Sequence, residues 1–279
     1  MATVLATKLI NPSPELSYVI GAILGDGDIR KTKANNKHGS AYGICLRVKD
    51  RDFVEKVDES VCLIKKRENP YPIKEERDSK TAFGKGTHFR LDFYSKEIYK
   101  ILENKNTALE VARKFPTDFI RGFADAEGSV HHGIRKSRRL LERKIQIRNT
   151  NLGILTYISK ELRKLGIKSE IPSPTYSPIG TCPCYNLVIG RNKSLVLFQQ
   201  KIGFAIERKM NKLNEARSTI HHYNYVMPPE EELQELCKKG LTQKKIALIY
   251  HVTQMSVSLW LRKIGITRGR GWKSWLPYS

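Results

Sequence analysis

Apolar and polar positions along the chain fall into a recurring order of helical and alternating patterns, and that order occurs twice. The first pass opens with Tyr18-Val-Ile-Gly-Ala-Ile-Leu-Gly-Asp-Gly27, an apolar helical stretch closed by an acid and a glycine. Residues 1–14 ahead of it read as an irregular lead-in, and Ser13 or Ser17 is placed to cap a helix running to Gly25. The polar segment Ala34–Ser40 then reads as a hairpin loop, with the returning strand from Tyr42 to Lys49. Phe53, Val54, Val57, Val61 and Ile64 recur at helical spacing and predict a helix over 50–66. Strands are expected near Tyr71–Glu76 and His88–Tyr94, and helices over Lys96–Leu102 and Ala108–Lys114.

The second pass opens with Phe119-Ile-Arg-Gly-Phe-Ala-Asp-Ala-Glu-Gly128. It continues through hairpin strands at Ser129–Arg135 and Leu141–Arg148, a helix over Asn151–Leu165, strands near Lys168–Ile171 and Tyr185–Ile189, and helices over Leu195–Phe204 and Glu207–Ile220. The closing acids Asp26 and Glu127 stand 101 residues apart, and the same offset sets Arg47 on Arg148, Lys49 on Thr150 and Phe53 on Ile154. A repeat of that length and element order predicts a duplicated domain, not a solenoid.

Beyond 221–229, which read as a linker, three short helical patterns follow: Glu230–Lys239, Thr242–Tyr250 and Gln254–Lys263. They resemble a helix-turn-helix in which Ile246, Ala247 and Val252 hold the angle, and Val257 and Leu261 face the core. Gln254, Ser256, Ser258 and Arg262 are then expected to look outward. The tail Arg268-Gly-Arg-Gly-Trp-Lys273 reads as a basic arm or a disordered end. The domain plan is therefore 1–114 for a first half, 115–220 for a second half, 221–229 for a linker and 230–279 for a helix-turn-helix domain with a basic tail. The fold class is α+β: two pseudo-symmetric αββαββα halves plus a small all-α domain.

Composition narrows the function. Lys and Arg number 50 against 28 acids, a net charge of +22 spread along the whole 279-residue chain, which points to a polyanionic partner. The five cysteines, Cys45, Cys62, Cys182, Cys184 and Cys237, show no zinc-like pairing and read as ordinary thiols. No signal-peptide core or membrane-length apolar run is present, so the expectation is a soluble intracellular protein with no membrane partner.

The two opening stretches carry the chemistry. In each, small residues recur four apart, Gly21 with Gly25 and Gly122 with Ala126, so two such helices can approach closely along one face. Gly27 and Gly128 then fall where a helix C-cap favours a left-handed residue. If the helices run side by side in one direction, Asp26 and Glu127 meet at one end. Two carboxylates there repel each other, and each sits at the negative end of a helix dipole. A hard divalent cation reverses both terms, so the pair reads as a metal site.

These two stretches resemble the motifs of LAGLIDADG homing endonucleases of the single-chain, two-motif kind: Val19-Ile-Gly-Ala-Ile-Leu-Gly-Asp-Gly27 and Ile120-Arg-Gly-Phe-Ala-Asp-Ala-Glu-Gly128. The resemblance implies two sheets forming a saddle on duplex DNA, with the motif helices as the seam. It implies metal-dependent hydrolysis of one phosphodiester on each strand of a long asymmetric site by a monomer, leaving short 3′ overhangs. Mg²⁺, or another divalent cation such as Mn²⁺, is the expected cofactor. Asp26 and Glu127 would hold it, with the carbonyls of Gly25 and Ala126 as further ligands. Lys49 lies where relatives place a basic catalytic residue, whereas its counterpart is Thr150 and leaves the second half without a simple lysine. Asp125, two before Glu127, reads as a structural or interfacial acid. The first-hairpin cations Arg30, Lys31 and Lys33 and the sheet positions Arg47, Arg90, Lys144, Gln146 and Arg148 are the expected DNA readers, with Arg135 and Arg138 in the second basic turn and Gln254, Ser256, Ser258 and Arg262 in the third domain. His88 and Asp92 share the outward set of Arg90. An intron-encoded homing enzyme is the leading reading. A DNA-binding regulator of related fold and an RNA maturase are the alternatives, and RNA stays open as a partner.

Overall fold

The structure, a computed structural model of the chain, describes residues 10–33, 40–78, 86–135, 140–176, 182–220, 227–250, 252–268 and 275–277. They form two compact units, Met1–Ile220 and His221–Ser279, each with its own apolar core. In the first unit, helix α1 (Pro14–Asp26) runs directly into the hairpin β1 (Gly27–Lys33) and β2 (Ser40–Val48), followed by α2 (Arg51–Lys65), a second hairpin β3 (Ile73–Asp78) and β4 (Gly86–Tyr94), then α3 (Lys96–Glu103) and α4 (Lys105–Lys114). The order repeats as α5 (Pro116–Glu127), β5 (Gly128–Arg135), β6 (Leu140–Asn149), α6 (Leu152–Lys164), β7 (Thr175–Tyr176), β8 (Pro183–Ile189), α7 (Asn192–Lys201) and α8 (Glu207–Ser218). Each half holds an antiparallel sheet with the same topology, β1-β2-β4-β3 and β5-β6-β8-β7. The fold class is α+β.

Strand register shows how far the duplication holds. Gly27 pairs with Leu46 and Gly128 with Ile147, so the 101-residue offset survives the first hairpin and reaches the helix caps Asp50 and Asn151. By the second hairpin it has fallen to 96, because Leu91 opposite Leu46 corresponds to Leu187 opposite Ile147. The connection that lost residues also carries a shortened strand, the two-residue β7. The segment expected as a strand near Lys168–Ile171 contributes a single bridge, Glu170 to Val188, and pairing resumes only at Thr175–Tyr176. Pro172 and Pro174 each lack an amide donor, which breaks the ladder between those points. Helix α7 likewise stops at Lys201, short of the expected Phe204, because Gly203 turns the chain at φ +66°.

Alternation along the strands sends one row of each sheet into the core. Ile44, Leu46, Leu91 and Phe93 are buried in the first sheet, and Ile145, Ile147, Leu187 and Ile189 in the second. Phe53, Phe119, Phe123 and Phe198 come in from the helices, and each fully buried phenyl ring contributes roughly 2–3 kcal/mol of apolar burial. Ser13 caps α1 by accepting the Leu16 amide at 3.2 Å, while Ser17 instead donates to the Phe115 carbonyl at 2.8 Å and ties α1 to the start of α5.

The second unit comprises α9 (Glu230–Lys238), α10 (Gln243–Ile249), α11 (Gln254–Lys263) and a short antiparallel ribbon of β9 (Ile266–Arg268) and β10 (Trp275–Pro277). Leu233, Ile246, Val257 and Leu261 are buried at its centre with Cys237 and Trp260, and Met227 from the preceding segment packs on them. Thr242 and Thr253 cap α10 and α11 by accepting the amides of Lys245 and Ser256. The tail expected as a basic arm or a disordered end is paired at its flanks, Arg268 with Trp275, while 269–274 lie outside the described residues.

Candidate active site and nucleic-acid interface

The seam of the first unit is the contact between α1 and α5, and glycine makes it possible. A Cβ on Gly21 would stand 2.9 Å from the Phe123 nitrogen and closer still to the Phe119 carbonyl oxygen. One on Gly122 would stand 3.0 Å from the Ala22 nitrogen and closer still to the Tyr18 oxygen. One on Gly25 would press on Ala126, with the Glu127 Cγ 3.2 Å away. Low positions on one helix therefore meet low positions on the other, and the helices run in the same direction. Gly27 and Gly128 do not adopt the left-handed cap expected of them: their φ values are −88° and −84°. They are glycines because the helix passes straight into a strand, and a Cβ on Gly27 would lie 2.6 Å from the Ile23 side chain.

Parallel helices bring Asp26 and Glu127 to the same end. Burial raises the Asp26 pKa above its ordinary value, Lys209 opposing and Asp50 adding to the shift, although one side of the residue opens to solvent. Burial raises Glu127 to about 7; Asn149 and Lys209 pull it down, and the charge of Asp26 pushes it up. Glu127 Oε1 accepts a 2.7 Å bond from Asn149 Nδ2, which fixes its carboxylate. Without a cation, the pair is a site that resists its own ionisation.

Lys209 of α8, only 7% exposed, reaches into this end of the seam. Its ammonium donates to the carbonyl oxygens of Ala124 at 3.3 Å, of Asp125, and of Ala126 at 3.4 Å, so a cation covers the last carbonyls of α5 where the helix dipole is negative. Burial lowers its pKa, against the opposing pull of Asp125, Asp50 and Asp26. Asp125 is an interfacial acid. It accepts the Tyr18 hydroxyl at 2.9 Å and the backbone amides of Ala205 and Ile206, which anchors α1 and the start of α8 to α5. Burial holds its pKa up at about 6.

A cleft of about 510 Å³ opens beside the acids, lined by Asp26, Arg47, Lys49, Asp50, His88, Ser129, His131, Arg208, Lys209 and Lys212 among others. Lys49 lies past the end of β2 and is exposed. Asp50 is tied to Arg208 by bonds of 3.0 and 2.9 Å, and Asp52 accepts the Glu207 amide at 2.6 Å, so the second half's last helix closes on the first half's α2. His131 is held below its usual pKa by partial burial and by Lys144 and Lys212. His88, expected to face outward with Arg90 and Asp92, is instead 3% exposed and forms part of the cleft wall.

The expected DNA readers are not equally available. Arg47 pairs with Glu76 at 2.8 Å, Arg90 with Asp92 at 2.9 Å, and Lys144 with Glu142 at 3.1 Å. Gln146 donates to Asn186 at 2.7 Å. Arg30 pairs with Asp28, while Lys31 and Arg148 are exposed. Arg138 lies outside the described residues, and Lys33 and Arg135 are described only as strand positions. In the second unit Gln254 and Arg262 are exposed and Ser258 is half-buried, but Ser256, expected to face outward, is 4% exposed and bonded to the Thr253 cap at 2.8 Å. Met255 and Leu259 take the exposed positions instead, at 69% and 54%.

Comparison with known proteins places this architecture. The profile of the LAGLIDADG-like domain matches residues 114–203, which contain α5 and the sheet that follows it. An uncharacterized protein of Methanocaldococcus jannaschii is 36% identical over 220 residues, covering 74% of this chain and 73% of its own length. The chain belongs to the LAGLIDADG-like family. A glutamine–fructose-6-phosphate aminotransferase of the same organism is 27% identical over 233 residues, which cover 77% of this chain but 18% of that protein. A crystal structure of I-DmoI in complex with DNA and Mn aligns with a TM-score of 0.48 and 22% identity, over 69% of this chain and 98% of that chain. The family profile covers the second half; the same topology in the first half extends the architecture across the whole first unit.

Of the site residues expected from sequence, Asp26, Gly25, Ala126, Glu127 and Lys49 are gathered around one end of the family seam. Lys209, Asn149, Arg208 and His131 were missed. Only Asn149 carried a signal, through its place beside Thr150, the counterpart of Lys49. Lys209 is one of several cations on a polar helix, and nothing in its neighbours marks it as the one that turns inward.

Proposed function

We propose that the chain is a metal-dependent endonuclease that binds duplex DNA as a monomer and hydrolyses one phosphodiester on each strand of a long asymmetric site, leaving short 3′ overhangs. Intron homing is the biological role we assign to it, inside the cell. The observation that carries this reading is the pair of carboxylates, Asp26 and Glu127, brought to the same end of two closely packed parallel helices.

The donor set suits Mg²⁺ or Mn²⁺. Among the described residues no group of three or more His, Cys, Asp or Glu forms a closed metal cage. Mg²⁺ does not ask for one, because it keeps several waters and takes one or two carboxylates together with substrate phosphate. Asp26 and Glu127 would hold it, and the Gly25 carbonyl is a further candidate ligand. The Ala126 carbonyl already faces the Lys209 ammonium at 3.4 Å, which makes water the better ligand on that side. When bound, the cation polarises the scissile phosphate, activates water and stabilises the leaving oxygen.

The chain's own groups do the rest. Asn149 orients Glu127, and the Lys209 ammonium lowers the cost of ionising both acids. Lys49, exposed on the cleft wall, adds positive charge where a phosphodiester would lie. The halves differ in their side chains at corresponding places, Lys49 against Thr150 and Asp50 against Asn151, which supports an asymmetric target. A regulator of related fold would not need both acids, and both are present here. Asp26→Asn and Glu127→Gln should each abolish cleavage while leaving duplex binding intact; cleavage retained by both variants would remove the assignment.

A further inference from the structure

The described part of the chain exposes eight large apolar side chains, and four of them, Leu248, Ile249, Met255 and Leu259, fall within twelve residues of the second unit. On α11 the exposure is organised. At 100° per residue, Gln254, Met255, Ser258, Leu259 and Arg262 occupy one arc of about 140°. Ser256, Val257, Trp260 and Leu261 fill the opposite arc and are buried. A helix held this way offers one continuous face that is polar at its N-terminal end, apolar in the middle and cationic at its C-terminal end.

Charge decides what covers that face. From Leu236 to Ser279 the chain carries nine Lys or Arg and no Asp or Glu. Lys244 and Lys245 at the start of α10 are exposed, as are Arg262 and Lys263 at the end of α11. The unit's four acids, Glu230, Glu231, Glu232 and Glu235, all lie on α9, where Glu235 pairs with Lys239. An apolar stripe on a segment whose exposed charges are all positive does not match a typical protein partner, whose interface core is depleted of charge but whose rim carries both signs. It does match the major groove of duplex DNA, where phosphates flank the base edges and the thymine C5-methyl is the one apolar group displayed there.

We propose that α11 reads thymine methyl groups through Met255 and Leu259, with Gln254 pairing to an adenine edge and Arg262 held on phosphate. The second unit therefore specifies an A·T-containing segment of the target. This inference rests on the duplex-DNA reading above and adds to it a base class and the side chains that recognise it.

The test uses the full chain in Ca²⁺ with a randomised duplex library, followed by affinity measurements on the recovered duplex. In that duplex each thymine is replaced in turn by deoxyuridine, which removes the methyl and nothing else. Wild type should lose about fourfold in affinity for each contacted methyl, the worth of burying one such group. Met255→Ala and Leu259→Ala alter exposed side chains and should leave thermal unfolding unchanged while abolishing the deoxyuridine effect at one or more of those thymines. Indifference of the wild type to deoxyuridine at every thymine would overturn the proposal, as would an effect that persists undiminished in both variants. Cleavage of the same duplex in Mg²⁺ is scored separately, so that a failure of thymine reading is distinguished from a failure of the nuclease reading.

Discussion

Replacing Gly21 with alanine sets two effects of opposite sign against each other. Intrinsic helix propensity favours alanine by about 1 kcal/mol in a helix interior. Against it stands the seam, where the added Cβ would meet the Phe123 nitrogen at 2.9 Å and the Phe119 carbonyl closer still. Both neighbours are backbone, so no rotamer change relieves the contact and the helices must separate. Overpacking of this kind costs about 1–3 kcal/mol, and a backbone clash belongs at the upper end. The net expectation is a loss of about 2 kcal/mol, or roughly 4–8 °C in Tm for a unit of this size. Separation also moves Asp26 relative to Glu127, and an ångström of misplacement costs about a hundredfold in rate. Thermal unfolding by circular dichroism and single-turnover cleavage on the cognate duplex measure the two consequences. Gly122→Ala should match Gly21→Ala, since its clash with Tyr18 and Ala22 is the mirror image. The double variant should cost less than the sum, because one separation relieves both contacts. An unchanged or raised Tm for the single variants would show that propensity decides and that the seam is not tight.

Metal-free stability should fall as pH rises from about 4 to 7, since Asp125 and Glu127 hold protons in the fold, up to about 6 and about 7, that the unfolded chain has already released. The Glu127 part amounts to about 3 kcal/mol at full value and about 1–2 kcal/mol after solvent screening, so Glu127→Gln should flatten the decline in denaturant titrations without metal; an identical slope in the variant would refute the assignment. Lys209→Met keeps the buried stem but removes the cation from three carbonyls and from both acids. It should cost about 2 kcal/mol in charge-assisted bonds and move the pH threshold for cleavage upward, because Lys209 lowers the pKa of Asp26 and Glu127. A pH–rate profile superimposable on the wild type would contradict that role.

The repeat, the hairpins that follow each seam helix and the meeting of the two acids were legible because each depends on local pattern. Small residues four apart, an acid and a glycine specify the seam helices, and period-two alternation specifies the hairpins. What was not legible depends on residues brought together from a distance. The ion pairs of Arg47 and Arg90 with Glu76 are invisible to pattern, because Glu76 reaches them only when β3 pairs with β4. His88 occupies an outward position by alternation, yet the cleft wall closes over it. Ser256 was placed outward by its polarity, whereas Met255 and Leu259 hold the exposed arc and the serine is consumed by the cap. Lys209 turns inward because the C-terminal carbonyls of α5 need a donor, a demand set by helix packing and invisible in its own neighbours.

One measurement bears most directly on the central claim, that Asp26 and Glu127 make a nuclease site. The full chain is incubated with a large randomised duplex library in Mg²⁺ and, in parallel, in Ca²⁺, and both the cut ends and the retained duplexes are sequenced. Staggered ends derived from one long asymmetric motif in Mg²⁺, with the same motif retained uncut in Ca²⁺, are the expected result. Enrichment of a motif in both samples with no cut ends in either would contradict the nuclease assignment and make the chain a DNA-binding protein of the same fold.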